Sequence, residues 1–367
     1  MAGKRRADQS LIDAHRSSLK SQRLVHSDIE LSAFLSASTD SVPIHTRLWR
    51  RAFIDKLGIG ARRKESPESL IKEWSLSVLP EECLQEIRTM LPKVATCFRN
   101  VDFDSLEEIR EAVMCDGLPT DLMKLVKFDT DFRYPGSQGA STFGARAEDF
   151  IFTLAYIMES CREDEHFLKW QYQILFDKFL QIFGLKTIQQ PFMKTQKSLI
   201  LKKAVNSEPD ILCMTSDPRK GRSVIAVCEV NVKDIKSNER ADSSSSPNRM
   251  HRSPSDVNSS VPAFSPDSFL ACHLGDLLVY MARSVSPRAV LGMTVEQTSV
   301  RFTLLHADES MLERIKKSDG SVRFDTEEEE RPMFYYSKPL NYLKRRDRLE
   351  LMEALLQIRM MQKKFEQ

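Results

Sequence analysis

The sequence predicts an α/β fold: a core with a mixed sheet, preceded by an α-helical subdomain and followed by a long C-terminal helix. Three observations predict it. Residues 211–214 and 224–232 are apolar, β-branched runs on either side of a turn-rich loop, SDPRKGR, which is a hairpin pattern. Between residues 144 and 338, runs of helical period and runs of strand type follow one another. Residues 26–130 and 339–367 carry helical spacing without strand-type runs.

The elements follow in order. Residues 1–25 are a basic, polar tail with Lys4, Arg5, Arg6, Arg16, Lys20 and Arg23, the composition of a disordered terminus or of a targeting or phosphate-contacting arm. Within 26–130, Leu48, Phe53 and Leu57 fall near helical spacing and the run stops at Gly58. Ser66, Pro67 and Glu68 open the next helix, and three short amphipathic runs follow. Arg47, Arg50 and Arg51 surround Trp49. That cluster reads either as a nucleic-acid contact with a stacking ring or as a solvated basic face anchored by a tryptophan. Residues 130–143 are a Gly/Ser-rich linker without a phosphate-loop pattern.

The core is expected over 144–338. A helix over 145–160 repeats Ile151, Phe152, Ala155 and Met158, and a second helix stops at Gly184. One or two strands precede the hairpin. Residues 237–267 are rich in Ser and Pro and cannot bury enough apolar surface to order themselves, so they read as a disordered insertion. A helix over 268–283, a second hairpin turning at 296–299, and a late strand near 333 complete the core. The tail over 339–367 is an amphipathic helix, basic at 344–348, expected to dock on the core or on a partner.

Composition narrows the function. The net charge of +2 gives no global basic field, so any nucleic-acid surface has to be a local patch. The 7 cysteines form no CxxC pair and suit a reducing compartment. His251 and His273 have no matching ligand cluster. No apolar run follows the charged N-terminus and none reaches the length of a membrane span. These features predict an intracellular protein of nucleus or cytoplasm, with no membrane partner.

The chemistry gathers on the first hairpin. Asp210 follows Pro209 at the start of one strand, and Glu229 lies within the other, with Asn231 and Lys233 after it. Residues two apart on a strand share a face, so Glu229, Asn231 and Lys233 are expected on one side, and Ala226, Cys228 and Val230 on the other. Two carboxylates at neighbouring strand ends suit a hard divalent cation such as Mg²⁺. Such a cation polarises a phosphoryl oxygen and lowers the pKa of bound water. A lysine beside them orients that water or stabilises developing negative charge.

Pro209–Asp210 followed by Glu229 resembles the signature of the PD-(D/E)XK, or restriction-endonuclease-like, nuclease superfamily, as a divergent eukaryotic member. Asn231 stands where that signature has its lysine, and Lys233 lies two residues beyond, roughly 7 Å farther along the strand. The resemblance covers about residues 145–308. It implies an αβββαβ core and a Mg²⁺-dependent phosphodiester hydrolase acting on DNA or RNA. It implies Asp210, Glu229 and Glu148 as metal ligands, Glu148 because the first core helix often adds an acid, and Lys233 or Asn231 beside the water. Two other readings stand beside it. One is the same fold with a decayed site, serving as a nucleic-acid-binding or scaffold module. The other is a helical adaptor that binds protein partners through the N-terminal helices or the C-terminal helix.

Overall fold

A computed structural model of the chain describes residues 42–64, 66–75, 80–98, 101–116, 143–161, 166–215, 223–232, 268–324 and 331–366. The basic tail 1–25, the linker before 143, the loop 216–222, Lys233 and the Ser/Pro-rich insertion 237–267 lie outside the described residues.

A short 3-10 turn (Thr46–Leu48) leads into α1 (Arg51–Lys56), β1 (Gly60–Arg63), α2 (Pro67–Ser75), α3 (Glu81–Cys97) and α4 (Leu106–Asp116). Then come α5 (Phe143–Ser160), α6 (Lys169–Ile182), β2 (Thr187–Gln189), β3 (Gln196–Ile200), β4 (Lys203–Ser207), β5 (Ile211–Met214) and β6 (Val224–Asn231). The rest is α7 (Ser268–Tyr280), β7 (Ala289–Glu296), β8 (Ser299–His306), α8 (Glu309–Lys317), β9 (Met333–Tyr336), β10 (Leu340–Asn341) and α9 (Arg345–Glu366).

The protein is α/β with a mixed, eight-stranded sheet ordered β1-β9-β8-β7-β6-β5-β2, with β10 beside β8. β5 pairs antiparallel with both β2 and β6, while β6 and β7 run parallel, joined by the crossover through α7. The two expected hairpins form: β5 with β6, and β7 with β8 around Gln297. β3 and β4 make a separate two-stranded ribbon.

Both faces of the sheet are covered, which is why β6 is buried from Val224 to Val230 rather than alternating. Cys228, Val230, Leu291, Met293, Phe302 and Leu304 pack into one large apolar cluster with α2, α5, α6 and α9. Residues of opposite parity face α7: a Cβ on Gly292 would come within 2.5 Å of both His273 Nε2 and Thr303 Oγ1. Glu229 is the register partner of Thr294 and shares that second face.

Three expectations meet a different arrangement. The segment 26–130 is not purely helical: Gly60–Arg63 adds a parallel edge strand beside β9. Residues 43–367 form one compact unit, so the N-terminal helices and α9 are built into the same body as the core. The C-terminal helix takes the first of its two expected positions, on the core, and buries Leu351, Met352, Leu355, Ile358 and Met361 there. On α5, Phe152 is 69% exposed, and the buried stripe is Ala147, Phe150, Ile151, Leu154, Ile157 and Met158. α6 ends at Gly184, whose φ of +78° is a left-handed conformation that glycine takes without steric cost.

Candidate functional site

Asp210 sits one residue before the first ladder pair of β5, Ile211 with Cys228, and so stands across from Glu229. Both are buried, at 4% and 7% exposure. The Asp210 carboxylate turns back onto β6: its Oδ2 accepts the Val230 amide proton at 2.7 Å. Its own backbone carbonyl accepts from Gln190 N at 3.0 Å and from Gln173 Nε2 at 3.2 Å, which ties the start of β5 to β2 and α6.

A lysine bridges the pair, and it is neither Asn231 nor Lys233. Lys169, the first residue of α6, places Nζ 2.8 Å from Asp210 Oδ2 and 3.4 Å from Glu229 Oε1. Burial alone would lower the Lys169 ammonium, but Glu229 and Asp210 facing it hold its pKa above the ordinary lysine value. The same burial pushes Glu229 well above the usual carboxylate range; Asp210 adds to that, and Lys169 opposes it. Glu229 Oε2 is buried and accepts no hydrogen bond from the described residues. A buried carboxylate oxygen without a donor is costly, and such groups concentrate where a site has work to do.

A third buried acid faces this pair. Asp276 lies on α7, a helix otherwise apolar from Leu274 to Tyr280 except for Gly275. Its Oδ1 accepts from Thr46 Oγ1 at 2.6 Å and from Ser207 Oγ at 2.7 Å. Burial raises Asp276 to about 6; those two hydroxyls and Arg47 lower it, and Asp210 raises it. Arg47 reaches the area from the N-terminal segment. Burial would lower its guanidinium, but Glu229, Asp210, Glu208 and Asp276 together hold it above its ordinary value.

Among the described residues, no three His, Cys, Asp or Glu side chains converge closely enough to hold a metal ion. Glu148, expected as a third ligand, is exposed on α5 and forms no such group with Asp210 and Glu229. Asn231 ends β6, half-buried, and Lys233 lies outside the described residues. The expected parity holds for Glu229 against Cys228 and Val230, which pack in the opposite cluster.

Sequence reasoning passed over Lys169 and Asp276, though each had a signal. A lysine in the first turn of a helix opposes the helix dipole. An aspartate in an apolar helix is expensive unless something faces it. Trp49, read as one option for base stacking, is fully buried and packs edge-on to Phe53 at 4.7 Å, so it is an anchor. His273 is buried too, held well below its ordinary value at about 3, with Nε2 2.7 Å from Thr303 Oγ1.

The fold and site define an α/β protein with a buried, lysine-bridged carboxylate pair at the end of a central hairpin. No protein-family model matches the chain, and no curated protein matches it. Among the described residues, no helix is long and apolar enough to cross a membrane.

Proposed function

We propose that this protein is a metal-dependent phosphodiester hydrolase of the PD-(D/E)XK type, with Asp210, Glu229 and Lys169 as its reaction centre. The observation that carries the reading is the Lys169 ammonium lying against both carboxylates at 2.8 and 3.4 Å. It supplies the cation that Asn231 cannot, from a different element of the fold. The succession α6, β2, β5, β6, α7, β7 supports the αβββαβ part of the reading, with β3 and β4 inserted as a ribbon.

The donor set suits Mg²⁺. That ion commonly takes one or two carboxylates and keeps water and substrate oxygens for its remaining positions. Glu229 Oε2 has no hydrogen-bond partner among the described residues, and Asp210 offers a second hard oxygen donor. Among the described residues, Lys169 and Arg47 are the cations set against the carboxyl groups of Asp210, Glu229, Asp276 and Glu208; once all four are ionised, the excess of two negative charges is what one divalent cation matches. When bound, Mg²⁺ would supply charge stabilisation at a phosphoryl oxygen and a more acidic water. Lys169, held protonated by its partners, is no base; its role is to orient the attacking water and stabilise developing negative charge. Because Glu229 holds its proton unusually tightly, ion binding has to release it, so affinity rises with pH.

The test is cleavage of end-labelled single-stranded DNA, duplex DNA and RNA in Mg²⁺ or Mn²⁺ against EDTA. Cleavage by the wild type is expected to fall by at least ~10³-fold in Asp210→Ala and Glu229→Ala and by ~10² in Lys169→Met. A metal-induced rise in melting temperature, lost in Asp210→Ala, is a readout independent of turnover. Cleavage that survives both carboxylate variants would reject the assignment. Asn231 at the signature's lysine position favours one rival, a decayed site that binds nucleic acid or scaffolds other proteins. That rival predicts salt-dependent nucleic-acid binding without cleavage, or no nucleic-acid binding at all.

A further inference from the structure

The N-terminal segment brings one arginine to the reaction centre and fastens it there. Thr46 Oγ1 donates to buried Asp276 at 2.6 Å. The backbone carbonyl of Arg47 accepts from Cys272 Sγ at 3.3 Å, and that thiol stays protonated because burial pushes it up to about 12. His45 forms an isolated bridge with Asn206, whose N–H donates to Ile44 O at 2.7 Å. Trp49 lies so close over α7 that a Cβ on Gly275 would come within 2.8 Å of its ring; only glycine leaves that room. Four attachments therefore fix the backbone on both sides of Arg47, while its side chain stays half exposed, at 51%.

That side chain points along the chain leading into the site. Arg47 Nη2 donates to Glu208 O at 3.2 Å and lies 3.9 Å from Glu208 Oε2, two residues before Asp210. The Glu208 carboxylate is itself held by Thr195 Oγ1. The neighbouring arginines go elsewhere. Arg50 Nη1 donates to Trp49 O at 3.1 Å, and Arg51 pairs with Asp55 at 3.9 Å on the same short helix. Within the basic cluster seen in the sequence, Arg47 contacts Glu208, and the charges of Glu229, Asp210 and Asp276 hold its guanidinium above its ordinary value.

We infer that Arg47 is the substrate-phosphate contact of this site, gripping the nonbridging oxygens of the phosphodiester presented to Asp210, Glu229 and Lys169. The inference rests on the phosphodiesterase reading for its ligand. Its physics is independent of the chemistry. A polyanion approaching four carboxylates meets repulsion unless a partly exposed cation receives it. A planar guanidinium with donors still facing solvent matches two phosphate oxygens at once. Glu208 then acts as the ground-state partner that keeps Arg47 extended until phosphate displaces it.

The experiment uses the full chain and a 5′-fluorescein-labelled oligonucleotide, single-stranded and duplex, in the wild type, Arg47→Ala, Arg47→Lys and Arg50→Ala. Binding is measured by anisotropy in EDTA over a range of salt, and cleavage by KM and kcat in Mg²⁺. We expect Arg47→Ala to weaken binding about tenfold and to lower the salt slope by about 0.7–0.9, the loss of one phosphate contact. KM should rise with a smaller change in kcat. Arg47→Lys recovers the slope but not the full affinity, and Arg50→Ala leaves both unchanged. Melting temperatures separate loss of contact from loss of fold, because Arg47→Lys keeps the charge and the packing stem. An unchanged salt slope in Arg47→Ala, an equal loss in Arg50→Ala, or a wild type that binds neither oligonucleotide overturns the inference. Binding that depends on Arg47 without any cleavage keeps this contact and sinks the hydrolase reading alone.

Discussion

Arg348 and the Asp210–Glu229 pair are both charged groups taken out of water, and their surroundings treat them in opposite ways. Arg348, at 3% exposure on α9, donates to four carbonyls: Tyr342 O at 3.1 Å, Leu343 O at 2.7 Å, Phe98 O at 2.9 Å, and Val101 O. Its fork closes the turn before α9 and binds it to the loop after α3, and the guanidinium also lies over the Phe98 ring at 5.8 Å. Phe98 and Val101 belong to the segment read from sequence as a separate helical subdomain; Arg348 is one reason it is not separate. The Arg348 donors meet partners of complementary polarity. At the carboxylate site, by contrast, three acids crowd one another, and Glu229 Oε2 accepts nothing from the described residues. A satisfied buried charge serves architecture, whereas a strained one signals a ligand still to be met.

The largest expected effect breaks the satisfied half. Arg348→Ala strips donors from four buried carbonyls and removes a packed stem, which should cost about 3–4 kcal/mol. Urea denaturation would read it as a lower midpoint, by the same amount at pH 6 and pH 8. Burial lowers Arg348 only to about 10, so it stays charged throughout that range. Arg348→Lys should recover little, because an ammonium has no planar fork. A loss below about 1 kcal/mol would mean that the carbonyls find other donors and that the contrast between the two regions is false.

The strained half should respond with the opposite sign, and only above a certain pH. A carboxyl group whose folded pKa is raised contributes stability that is present below its ordinary value and is lost as pH rises through the raised one. For Asp276, that window runs from the ordinary 3.8 to about 6. Asp276→Asn keeps an oxygen for the Thr46 and Ser207 hydroxyls while removing the charge, so it should gain on the wild type across this window. The gain should level off above pH 6 at about 3 kcal/mol. Glu229→Gln should likewise raise the melting temperature at pH 8 and leave it nearly unchanged at pH 4, since burial raises this group in the same direction. Both variants would trade function for stability if the hydrolase reading holds. A drop in melting temperature at pH 8 in either one would show that these carboxylates are architectural, like Arg348.

The same contrast explains what the sequence made legible. The strands of both hairpins stood out because apolar runs bounded by turn residues are a local signal, and Asp210 and Glu229 stood out as charges at the edge of or inside such runs. β1 did not: Gly60–Arg63 reads GARR and buries only its glycine, so its strand character comes from pairing with β9. The helical spacing of Leu48, Phe53 and Leu57 was cut short to a 3-10 turn and α1, because Thr46 and Trp49 are drawn onto α7 instead. Lys169 and Asp276 join the site from helices far along the chain, and spacing within one motif carries no information about such partners.

The smallest expected effect sharpens the boundary of the strained region. Glu148 was the expected third ligand because it opens the first core helix, yet it stands exposed on α5 and joins no three-membered group with the buried pair. Glu148 is the sixth residue of α5, past the first turn in which the helix dipole acts, so its exposed carboxylate is worth at most a few tenths of a kcal/mol. Glu148→Gln should therefore shift the melting temperature by under a degree and leave metal-dependent cleavage within about twofold of wild type, against the ~10³-fold loss expected for Glu229→Ala. A loss in Glu148→Gln comparable with that of Glu229→Ala would require α5 to bring Glu148 to the pair when substrate binds, and would move the acid count of the site from Asp276 to Glu148.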